Sequence, residues 1–97
     1  MYQMQSESLD RLFDVILKLE DREACYRFFE DICTVKEMED LAQRLDVAIL
    51  LSRGANYQTI AQTVGVSTAT ISRVSKCLHY GRGGYRDALE KMKEEAK

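Results

Sequence analysis

No proline interrupts this chain, and its five glycines stand at only three places: Gly54, Gly65 and the cluster Gly81, Gly83 and Gly84. Proline and glycine are the residues that most disfavour a helix interior, so a chain with so few of them is most simply all helix. Its 97 residues, 45% apolar and 31% charged, suit one small soluble domain, 1–97, with room for a single modest core. The longest strictly apolar run is Val47 to Leu51, far short of the roughly 20 residues that cross a bilayer. Met1 to Asp10 has neither the basic nor the apolar part of a secretory signal, so the expected location is the cytoplasm. Cys25, Cys33 and Cys77 are odd in number and form no CxxC pair, which points to reduced packing residues and to no metal site.

The apolar spacing divides the chain into six helices. Leu9, Leu12, Phe13, Ile16 and Leu17 share one stripe of a helix over about Ser8 to Leu19. Asp21 is placed to cap a second helix carrying Cys25, Phe28, Phe29 and Ile32. Thr34 and Glu37 spell a capping box that opens a third, with Met38, Leu41, Leu45, Ala48, Ile49 and Ser52 expected along its buried side and Gly54 at its end. A fourth, about Tyr57 to Val64, is closed by Gly65. Ser67 caps a fifth that runs to about Leu78 with Ile71, Val74 and Leu78 facing inward. Gly81 to Gly84 form a loop, and Tyr85, Ala88, Leu89 and Met92 line a last helix with a frayed, charged end. So many amphipathic stripes exceed what one small interior can cover, so a second copy of the chain is the expected partner. The expected organisation is therefore 1–54 for dimerisation, 55–79 for a helix-turn-helix and 80–97 for the C-terminal helix and tail.

Residues 57–76, YQTIAQTVGVSTATISRVSK, are the most informative run. Two helices meeting at a steep angle need a small residue at their approach, a turn residue that tolerates positive φ, and apolar side chains that lock one helix on the other. Ala61, Gly65 and the set Ile60, Val64, Val66, Ile71 and Val74 meet those needs. The face left over on the second helix carries Thr68, Ala69, Ser72, Arg73 and Lys76, with Ser67 opening its first turn. A helix N-terminus favours phosphate, and short hydroxyl, methyl and guanidinium groups suit the edges of bases in a major groove. Charge agrees: the net is −2, yet Val47 to Arg86 holds no Asp or Glu and carries +5, leaving −7 for the rest. An acidic scaffold with one basic segment fits a module that meets a polyanion on one face. Double-stranded DNA is thus the expected partner, with Arg53, Arg73 and Lys76 on phosphates and Thr68, Ala69 and Ser72 at the bases.

The run GVSTATISR at 65–73, with LLSRG at 50–54, resembles the Trp repressor superfamily and in particular its YerC/YecD-type branch, over about Thr34 to Leu78. The resemblance implies an all-helical, six-helix homodimer with interlocked N-terminal helices, acting as a transcriptional regulator, most simply a repressor. It also implies a small-molecule effector of amino-acid type, because Thr34, Arg44, Thr70 and Arg73 fall on positions that line the corepressor pocket of that family. Val74 stands where that pocket has a glycine against the indole, Cys77 where it has a serine, and the segment from Gly54 to Gly65 is one residue shorter. These departures argue against tryptophan itself, while Arg44 and Arg73 keep the means to hold another small acid bidentately. Without an effector, Arg44 reads as a surface charge and Arg73 as a phosphate contact.

No enzyme or cofactor is expected. Cys77 and His79 are two residues apart, a spacing that separates side chains on a helix. Glu20, Asp21 and Glu23, like Glu37, Glu39 and Asp40, sit at helix starts where carboxylates complement the dipole. The glycine loop lacks the lysine and hydroxyl residue of a phosphate-binding loop. The alternative of another class is a helical interaction module in which the helix-turn-helix is structural only.

Overall fold

The computed structural model describes residues 5–96, and all the regular structure in them is helical. The chain forms two compact units, one up to Met38 and one from Glu39.

In the first unit, α1 spans Glu7–Ile16 and α2 spans Arg22–Ile32. Each begins where a side chain satisfies a free backbone donor: Ser6 accepts from the Leu9 N–H at 3.1 Å, and Asp21 from the Ala24 N–H at 2.8 Å. The cap on Ser6 starts α1 earlier than the apolar pattern suggests. The helix also ends earlier, because the Lys18 and Leu19 N–H groups turn to the carbonyls of Val15 and Ile16 and tighten the chain out of the α geometry. No residue of α1 or α2 is buried.

The third helix, α3, spans Val35–Ser52, so it begins in the first unit and runs on into the second. The expected capping box is present: the Thr34 N–H donates to Glu37 Oε1 at 2.8 Å, and the Glu37 N–H to Thr34 Oγ1 at 3.1 Å. These bonds, the backbone one foremost, hold the Glu37 carboxyl below the ordinary glutamate range.

The second unit contains the core. α4 (Tyr57–Ile60), a single π turn (Ala61–Gly65), α5 (Thr68–Tyr80) and α6 (Gly84–Ala96) follow α3. Val47, Ala48, Ile60, Ile71, Val74, Leu78 and Leu89 are buried, with Ala61, Val64, Val66 and Tyr85 packed around them. The residues expected to lock the helix-turn-helix therefore do face the core. Gly65 has φ +80°, the left-handed turn that the sequence requires there, and the expected fourth helix gives way after Ile60 to a wider π turn that ends on Gly65 itself.

The buried side of α3 needs correcting. Leu41 and Leu45 are 48% and 38% exposed and Ser52 is also exposed; Ala48, expected inward, is fully buried, but so is Val47, which was not among the expected residues. Within the second unit α3 packs through the stripe of Val47, Ala48 and Leu51, next to the one that its apolar spacing favours. On α6, Leu89 is buried but Met92 is 42% exposed.

Candidate nucleic-acid interface

Ser67 has extended backbone angles, and its hydroxyl accepts from the Thr70 N–H at 3.2 Å, which opens α5. Thr70 is half-buried and its own hydroxyl lies 3.2 Å from that of Ser67. From this start α5 divides cleanly. Ile71, Val74 and Leu78 are at most 8% exposed, while Thr68, Ala69, Ser72, Arg73 and Lys76 are all exposed. Residues at 68/69, 72/73 and 76 recur at helical spacing, so the exposed set is one face and not a scatter. Two of its five side chains are cationic and none is acidic.

Arg53 is exposed just past α3, beside the turn: with Gln43, Asp46, Leu50, Thr63 and Val64 it lines an open groove of about 410 Å³. Its place is set by the end of α3, where the Arg53 N–H reaches the carbonyls of Ile49 and Leu50, and Gly54 turns left-handed at φ +85°.

The residues expected around an effector are brought together only in part. Arg44 is half-buried, and Arg73 and Cys77 are exposed. All three act electrostatically on the hydroxyl of Tyr85, the second residue of α6. Burial pushes that phenol up, Cys77 adds to the effect, and the Arg44 and Arg73 charges pull against it. Thr34 belongs to the first unit. Val74 is 1% exposed and belongs to the core of the second unit. Spacing alone places Tyr85 on an apolar stripe of α6 and does not reveal that charges from α3 and α5 act on its hydroxyl.

Among the described residues no helix is long and apolar enough to cross a membrane. The profile of the Trp repressor protein family matches residues 7–93, a longer span than the resemblance noted in the sequence. The uncharacterized protein YerC of Bacillus subtilis (strain 168) is 52% identical over 91 residues, covering 94% of this chain and 88% of its own. A candidate Trp repressor from Staphylococcus aureus, known from its crystal structure, superposes with a TM-score of 0.88 at 50% identity, covering 92% of this chain and 89% of that one. A TrpR-like protein of Eubacterium eligens gives the same TM-score at 43% identity and 91% coverage of both chains. With its helical architecture and helix-turn-helix, the chain belongs to the Trp repressor family, a family of DNA-binding regulators.

Proposed function

We propose that this chain is a homodimeric, sequence-specific transcriptional repressor that places α5 in the major groove of a pseudo-palindromic site. The observation that carries the reading is the division of α5: a capped helix whose inward face is apolar and buried and whose outward face is short, polar and basic. Thr68, Ala69 and Ser72 lie in its first turns, where a helix entering the groove meets base edges. Arg53, Arg73 and Lys76 supply phosphate contacts, and the Ser67 end of α5 adds the donor-rich terminus that favours an anion.

The dimer part of the reading is supported by what the first unit leaves open. Phe13, Leu17 and Ile32 are 53%, 82% and 53% exposed, an apolar display that solitary helices do not sustain in water. In this reading residues 1–54 dimerise, 55–79 bind DNA and 80–97 complete the domain. Two recognition helices then sit ~34 Å apart, one turn of DNA.

The test is selection of binding sites from a random duplex library by the purified chain, at low and physiological salt, with and without added amino acids. An enriched palindrome is the expected result. Dependence on an added amino acid would assign Thr34, Arg44, Thr70, Arg73 and Cys77 to an effector. Binding without sequence preference that fades as salt rises would leave only the phosphate contribution. No binding would favour a helical interaction module.

A further inference from the structure

The outward stripe of α5 does not stop at Lys76. Ala69, Ser72, Lys76 and then His79 and Tyr80 follow at three- and four-residue intervals, and all of them are exposed. Tyr80, the last residue of the helix, is 77% exposed, the most open aromatic among the described residues. Its ring meets that of His79 edge-on, with centroids 6.3 Å apart and planes at 61°. The link to α6 is only Gly81, Arg82 and Gly83, and the Gly81 N–H is tied back to the Cys77 carbonyl at 2.8 Å, which keeps the exposed Arg82 beside the helix end. No Asp or Glu occurs between Asp46 and Asp87. The carboxyl end of a helix favours cations, which accounts for His79 and Arg82. It does not account for a phenol left in water beside them, on the same stripe as the proposed base-reading residues.

We propose that Tyr80 and Arg82, with His79 bracing the Tyr80 ring, form a second DNA contact, on the sugar–phosphate backbone about five base pairs outward of the bases that Thr68, Ala69 and Ser72 read. The inference rests on the DNA-binding reading above and deepens it. α5 has 13 residues, which at ~1.5 Å each span about 18 Å from first to last. The major groove is only ~8.5 Å deep, so a helix standing upright with its first turn at the bases would carry its last turn clear of the DNA. Lying along the groove, the straight helix keeps its first turns at the base edges and runs out over the rim, where the groove curves away and phosphates line it. At ~3.4 Å per base pair the 18 Å cover about five base pairs. The direction is outward because first turns ~34 Å apart leave no room for two such helices pointing at each other. There the Tyr80 O–H donates to a phosphate oxygen and the Arg82 guanidinium neutralises a charge. Neither reads a base, so this contact adds affinity without choosing sequence.

The test uses the full chain and the duplex that wild type enriches, flanked on both sides, in fluorescence-anisotropy titrations over a salt series. Arg82→Ala is expected to lower the slope of log K against log salt by about 1 while enriching the same sequence as wild type. Tyr80→Phe, which removes only the hydroxyl, is expected to lose about two- to tenfold in affinity. Trimming the flanks past the proposed phosphates is expected to weaken wild type by a similar factor or more and to leave the double variant Y80F/R82A where it was. The trimming arm uses unaltered protein, so it decides even if a variant fails to fold. An unchanged salt slope in Arg82→Ala, an unchanged affinity in Tyr80→Phe, or a wild type indifferent to trimming would overturn the inference. So would weaker self-association of Y80F/R82A in sedimentation equilibrium, which would assign this patch to the contact between copies of the chain. A wild type that enriches no duplex is a different result: it removes the DNA-binding reading itself, and this inference with it.

Discussion

Replacing Phe13 with alanine tests the proposed dimer where its energetics are easiest to work out. Phe13 is 53% exposed on α1, a helix with no buried residue. A phenylalanine buries about 150–250 Å² when fully covered, so roughly 100 Å² per copy awaits a partner. At about 25 cal/mol per Å² that is about 2.5 kcal/mol for each ring and about 5 kcal/mol for the two rings of a symmetric dimer. Alanine keeps a little of this, and each 1.4 kcal/mol is about tenfold, so Phe13→Ala should weaken association by about a thousandfold. Sedimentation equilibrium measures this directly, and the thermal midpoint should rise with protein concentration in wild type as mass action requires. A wild-type chain that stays monomeric with a concentration-independent midpoint would refute the dimer; equal association of wild type and variant would refute the role of α1.

Four further outcomes are expected. Arg73→Ala should lose ~1–3 kcal/mol of operator binding if the guanidinium forks onto a guanine, and unchanged affinity at matched salt would remove that role. Ser67→Ala deletes the acceptor for the Thr70 N–H and should cost about 0.5–2 kcal/mol in urea unfolding. Gly65→Ala meets nothing within 4 Å but must hold φ +80°, so it should cost about 1–2 kcal/mol through backbone strain alone, read as a lowered thermal midpoint. Glu37 has its carboxyl held low in the folded chain, so its contribution is present above the ordinary glutamate pKa of about 4.3 and is lost as pH falls through the lower folded value. Urea titrations from neutral pH into this acid range should therefore show wild type and Glu37→Gln converging; a constant gap would contradict the box.

Cap chemistry is local, which is why Asp21, Thr34 with Glu37, and Ser67 marked their helix starts from the sequence. The locking set Ile60, Val64, Val66, Ile71 and Val74 was legible for a similar reason: its spacing fixes a face once the turn at Gly65 is known. Less could be read where two answers share one pattern. Along α3 two neighbouring stripes are apolar, and spacing does not say which of them packs within the chain, so Leu41 and Leu45 were placed inward. The end of α1 at Ile16 escaped because Leu17 and Leu19 continue the apolar pattern past the point where the backbone turns. Tyr85 escaped because its half-burial against the core of the second unit depends on where the other helices lie, which a stripe on α6 does not reveal.

The division of α5 into a buried and an exposed face has a consequence for how such a protein diversifies. Thr68, Ala69 and Ser72 lie outside the core, whereas Ile71, Val74 and Leu78 carry it. On the proposed interface, the residues that choose a DNA sequence are therefore not those that hold the helix in place. Exchanging residues at 68, 69 and 72 for other short polar or apolar side chains should redirect the chain to different operators while leaving its melting behaviour nearly untouched. One scaffold can thus be rewritten many times without being rebuilt, and divergence among its relatives should be sought first at those three positions.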